Sequence, residues 1–92
     1  MATLHVLSHS PFADTRLDSC LSLMGPSDGV LLCGDATYAL IPPATRILEK
    51  QVFALDEDIK ARNLQVPHGV ACVDYAGFVE LSLRFDRVNT WL

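Results

Sequence analysis

Three cysteines, three histidines and a set of aspartates at the ends of apolar runs are the residues here whose types could do chemistry. Cys20, Cys33 and Cys72 are widely spaced, with neither a Cys-x-x-Cys pair nor a Cys/His cluster, so no disulfide framework or zinc site is indicated. They read as free thiols. Cys33 in "VLLCG" and Cys72 in "VACV" sit inside apolar runs and read as buried fillers. Cys20 lies on the apolar stripe of an amphipathic segment, again a packing position. As a nucleophile it would need an accessible, electropositive setting, and Arg16, one turn earlier, is the only cation close by in sequence.

The histidines offer less. His5 falls within an apolar run and reads as a core or interface residue, His9 and His68 as loop residues. None has a second ligand at a metal-binding spacing, so no metal is expected. Gly-x-Ser-x-Gly is absent, and so is a glycine-rich phosphate loop. The residues alone predict no self-sufficient active site and no cofactor.

Asp35, Asp56 and Asp74 come at or just after the ends of three apolar runs. As N-caps they would supply acceptors for the first N–H groups of the following helices. As an acidic cluster they would sit at the carboxyl ends of strands, where α/β folds place ligands. Gly77, early in the helix that Asp74 would open, carries a helix-propensity penalty of up to about 1 kcal/mol against alanine. Close backbone approach explains such a glycine, made either by the chain's own sheet or by a partner subunit, with Tyr75 and Phe78 as flanking contacts.

The elements that must position these residues alternate regularly. "TLHVLS" predicts a strand, and "HSPF" a helix start with Ser10 as cap and Pro11 in the first turn. In "FADTRLDSCLSLMG" the residues Ala13, Leu17, Cys20, Leu21 and Met24 recur at helical spacing, and Gly25 and Pro26 end the helix. "GVLLCG" predicts a second strand and "DATYAL" a short helix stopped by Pro42 and Pro43. "RILEKQ" predicts a helical piece or turn, and "QVFAL" a third strand. "DEDIKARNL" is a helix with acids first and bases later, "GVACV" a fourth strand and "DYAGFVELSLRF" a fourth helix. This βα alternation predicts an α/β fold of three layers, αβα, with a small, mainly parallel sheet.

The chain of 92 residues predicts one domain, 1–92, with a small core. Half of its residues are hydrophobic, more than such a domain easily hides, and the surplus predicts a subunit interface. No apolar run is long enough to span a membrane and no basic region precedes the short apolar stretch at the start, so a cytoplasmic protein is expected. A net charge of −4 with only seven scattered Lys and Arg residues argues against direct nucleic-acid binding.

Taken in order, "LHVLSHSPF", "GVLLCGDATYAL", "VFALDEDIKARNL", "VDYAGFVEL" and the terminal "VNTWL" resemble the TusB/DsrH family of sulfur-relay subunits across essentially the whole chain. The resemblance implies a DsrEFH-like fold of flavodoxin-like architecture. It also implies a heterohexamer with TusC-like and TusD-like subunits that passes persulfide sulfur between carrier proteins. In the Tus branch the sulfur serves 2-thiolation of the tRNA wobble uridine; in the Dsr branch the related complex serves sulfur oxidation. The principal sulfur-carrying cysteine of such complexes belongs to the TusD/DsrE-type subunit, which implies a noncatalytic role here. Cys20 in "DSCL" nevertheless matches a cysteine in the first helix of DsrH-type chains, leaving a persulfide carrier as the alternative. Tyr38, Tyr75, Gly77 and Phe78 are the expected contacts with the sister subunits. A third reading, from a different class, is a ligand-binding domain with its pocket around Asp35, Asp56 and Asp74.

Overall fold

The computed structural model describes residues 2–12, 15–41, 47 and 50–91. The piece expected over residues 46–51 lies for the most part outside them, as does Ala13. Apolar runs make the strands β1 (Thr3–Leu7), β2 (Gly29–Leu32) and β3 (Gln51–Leu55), each buried along nearly its whole length. They form the centre of a five-stranded sheet of order β4-β3-β2-β1-β5, in which every pairing is parallel. The edges are β4 (Ala71–Val73) and β5 (Arg87–Trp91).

Helix α1 (Arg16–Leu23), a 3-10 helix (Gly34–Leu40) and α2 (Asp56–Ala61) make the first three crossovers. Helix α3 (Tyr75–Arg84) then joins one edge strand to the other. Side chains alternate across a strand, and the two faces bury separate clusters. On one face Leu7, Val30, Leu32, Val52 and Ala54 meet Cys20 and Leu21 of α1, Ala36 and Leu40 of the 3-10 helix and Ile59 of α2. On the other, Leu4, Val6, Leu31 and Phe53 meet Leu81, with Phe78 and Phe85 packed against them. The expected three-layer αβα arrangement is the one observed, with α3 supplying the helical cover of the second face.

Gly29 is required by that second face. A Cβ there would lie 2.8 Å from Phe85 Cζ and 3.2 Å from Phe53 Cε2, two rings that pack edge to face with centroids 6.4 Å apart. Only a residue without a side chain admits both rings over the start of β2.

Three sequence expectations are corrected. The first helix does not start at Ser10 and Pro11; Ser10 Oγ instead accepts the Phe12 N–H in a turn, and the helix begins at Arg16. The expected four strands become five, because the terminal segment is the edge strand β5, paired along β1 from Thr3↔Arg87 to Leu7↔Trp91. Cys72 is exposed and Cys33 only half-buried, because β4 is an edge strand and Cys33 stands just past the end of β2.

Candidate functional site

The thiols lie apart in the fold. Cys20 is 0% exposed, and burial, together with the negative charge of Asp28, pushes its thiol up to about 11. Neutral and packed beneath α1, it has the properties of a core residue. Cys33 donates its Sγ–H to the Leu7 carbonyl at 3.4 Å, and burial followed by the charge of Asp58 raises its pKa. Cys72 faces solvent, but burial of part of the side chain and the carboxylate of Asp56 raise its pKa too, against a smaller opposite effect of Lys60. None of the three has the depressed pKa that marks a resting nucleophile.

The strand-end acids are engaged one by one. Asp74 caps α3, its Oδ1 accepting the Gly77 N–H at 2.7 Å. Asp56 opens α2 without capping it and pairs instead with Lys60 at 2.9 Å. Asp35 does not cap the 3-10 helix either; it accepts from Arg62 Nη2 at 2.9 Å and Nε at 3.2 Å. Arg62 also reaches Asp58 and lies 5.8 Å from the centroid of the Tyr38 ring, while Asp58 Oδ2 accepts the Gly34 N–H at 2.8 Å. The N-cap expectation thus holds for Asp74 and fails for the other two, which are held by cations of α2 and its C-cap. A groove of about 320 Å³ runs between Leu40, Ile41 and residues 63–67, and none of the three acids lines it. Among the described residues no group of three or more His, Cys, Asp or Glu could hold a metal ion.

His5 is buried, as expected, and sits between two polar partners that sequence reasoning missed. Its Nε2 lies 3.2 Å from Asp28 Oδ2, and its Nδ1 3.1 Å from the indole Nε1 of Trp91. Asp28 also accepts the backbone N–H groups of Thr3 and Gly25. Burial pushes its carboxyl up, but these N–H donors and His5 together hold it below the usual carboxylate value. The residues are far apart in the chain, so only the sheet brings them together.

The expected interface residues have mixed surroundings. Tyr38 is half-buried under Arg62, and Phe78 packs on the second core. The close approach that Gly77 permits is to its own strand, since a Cβ there would lie 3.1 Å from Val73 Cβ and 3.3 Å from Asp74 Oδ1. Tyr75 is open at 55% exposure and continues into Val79 at 58% and Leu83 at 80%, a row on successive turns of α3. The i, i+4, i+8 spacing of that row is present in the sequence, beside the inward-facing Phe78, Leu81 and Phe85.

What fold and side chains define is a parallel α/β subunit with a bare apolar helix row and, among the described residues, no assembled reactive centre. The family described as DsrH like protein matches residues 9–88. Protein TusB of Escherichia coli is 32% identical over 96 residues, covering 96% of this chain and 99% of that protein. Protein TusB of Yersinia pestis is 28% identical over 95 residues with the same coverage. The crystal structure of the ychN protein from E. coli matches in fold, with a TM-score of 0.75 over 99% of this chain and 100% of that one, at 17% identity. The chain belongs to the DsrH-like family, the family of sulfur-relay subunits named from its sequence.

Proposed function

We propose that the chain is the TusB-type, noncatalytic subunit of a cytoplasmic sulfurtransferase complex. In this reading it joins TusC-like and TusD-like subunits in a heterohexamer that relays persulfide sulfur toward 2-thiolation of the tRNA wobble uridine. The observation that carries the structural role is the outward row Tyr75, Val79 and Leu83 on α3. Contiguous exposed apolar surface on a small subunit is the expected form of an interface core, and aromatic residues are enriched there. Gly77 and Phe78 belong to the same proposed contact region, Phe78 by supporting the helix from beneath, whereas Tyr38, on the 3-10 helix across the sheet, is proposed as a separate contact.

The state of the thiols favours a partner as the sulfur carrier. A persulfide is taken up by a thiolate, and Cys20 is fully buried with its pKa raised to about 11. RNA would be held elsewhere in the relay, consistent with a net charge of −4.

Coexpression with the TusC-type and TusD-type chains of the same source tests the reading, with the mass of the purified assembly measured by light scattering. A particle near the mass of two heterotrimers is expected, and Cys20→Ser within it should leave sulfur transfer intact. A chain that stays alone and soluble refutes the subunit reading, and loss of transfer in a well-assembled Cys20→Ser complex restores the carrier alternative.

A further inference from the structure

His5 and Trp91 meet in a hydrogen bond whose direction is fixed by chemistry. An indole N–H only donates, so the Nδ1 it faces at 3.1 Å must carry a lone pair. The ionised Asp28 carboxylate only accepts, so Nε2, 3.2 Å from it, must carry the proton. His5 is therefore held as the neutral Nε2–H tautomer. Adding a proton converts Nδ1 into a second donor that faces the indole N–H, while the bond to Asp28 gains charge assistance. The imidazolium thus keeps one partner and repels the other.

The location gives that exchange a structural consequence. Trp91 is the last residue of β5, an edge strand paired with β1 alone. It stands opposite Leu7 in register and packs against the first core. Along β5, residues 87–90 are exposed, so the indole is the one substantially covered anchor of the strand. The side chains bonded to His5 are Asp28, from the loop entering β2, and Trp91; on the same face of the sheet stand Cys20 of α1, with its neutral thiol, and Arg87 and Asn89 of β5, and the register partner in β2, Val30, adds no charge. Asp28 is the one anion among them.

We propose that the His5–Trp91 contact is an acid-released latch on the carboxyl end of β5. With His5 neutral the indole is bonded and the strand end lies on the sheet. With His5 protonated the indole leaves, and the end of β5 frays from β1 while the central strands stay folded.

The experiment uses the full chain, in which Trp91 is the single tryptophan. Its fluorescence, its indole N–H exchange and the imidazole nitrogen shifts of His5 are followed from about pH 8 to about pH 5 by NMR and emission. The expected result is an Nε2–H tautomer at the upper end, then a red shift and a roughly tenfold rise in indole exchange that track the His5 titration while amides of Val52–Leu55 stay protected. His5→Gln, whose amide oxygen can accept the indole N–H without titrating, should abolish the transition, and His9→Gln with His68→Gln should retain it. The latch is overturned by an Nδ1–H tautomer at about pH 8 or by an indole that stays protected while His5 titrates. It is also overturned by an imidazole still neutral at about pH 5, or by loss of the β3 amides in the same step. Should His5→Gln fail to fold, the tautomer and the coincidence of midpoints in the unaltered chain still decide.

Discussion

Replacing Asp74 by alanine removes one acceptor, yet the consequences should reach the whole sheet. The carboxylate accepts the Gly77 N–H at 2.7 Å, and the effect of deleting such a cap is about 1 kcal/mol, with a range of roughly 0.5–2. A helix of ten residues is too short to persist without packing, and α3 carries Phe78 and Leu81 of the second core, with Phe85 as its C-cap. The loss should therefore appear in global unfolding, as a fall in Tm of about 4–8 °C for each kcal/mol in a domain of this size. Asp74→Asn keeps the acceptor and should recover most of the difference. Thermal unfolding followed by circular dichroism measures both variants, and exchange of the Gly77 amide reports the cap itself. A Tm for Asp74→Ala within error of the parent chain, or an asparagine variant as damaged as the alanine one, would refute the capping argument. Gly77→Ala is the companion test. Its helix-propensity gain of about 1 kcal/mol should not be realised, because the new Cβ crowds Val73 Cβ at 3.1 Å and the capping oxygen at 3.3 Å.

Alkylation should rank the thiols by exposure, with Cys72 modified first, Cys33 slowly and Cys20 only after unfolding; mass spectrometry of timed maleimide reactions checks the order, and early labelling of Cys20 would contradict its burial. Gly29→Ala should destabilise by roughly 1–3 kcal/mol in urea unfolding, because its Cβ would sit 2.8 Å from Phe85 Cζ. Asp28→Asn should show its cost at every pH above the ordinary carboxylate range. The folded-state pKa of Asp28 is depressed, so its contribution is complete above the unfolded value and disappears as pH falls through the folded one. The gap between variant and parent should narrow as pH falls below the ordinary carboxylate range, beneath the His5 step, and a gap that widens there would reverse the assigned sign.

The central strands were legible because parallel strands buried on both faces read as unbroken apolar runs, as "LHVL", "GVLL" and "VFAL" do. The same rule misled at Cys72, since "GVACV" has the composition of a central strand and takes an edge position that pairing order alone decides. β5 was missed for the complementary reason. "RVNTW" is mostly polar, and its strand character comes from its ladder with β1 rather than from a buried face. Asp74 was readable as a cap because its acceptor acts on a neighbour along the chain, whereas Asp35 is claimed by Arg62 across the space between two elements. The partners of His5 lie still further off, and nothing local marks Asp28 or Trp91 as belonging to it.

The surplus of apolar residues has a physical explanation. Three helical elements pack on the first face of the sheet, but α3 supplies the helical cover of the second, and it carries apolar residues on both of its own sides. Its inner stripe of Phe78, Leu81 and Phe85 accounts for the fold; the outer row of Tyr75, Val79 and Leu83 does nothing for the isolated chain and exposes it to association. A helix apolar on two sides belongs between two bodies. Changing Val79 and Leu83 to serine and glutamine should thus leave the unfolding free energy of the isolated chain within about 0.5 kcal/mol, as for other exposed positions, while weakening assembly with the proposed partner subunits. If stability falls instead with assembly unchanged, the row belongs to the chain's own packing and the interface must be sought on another face.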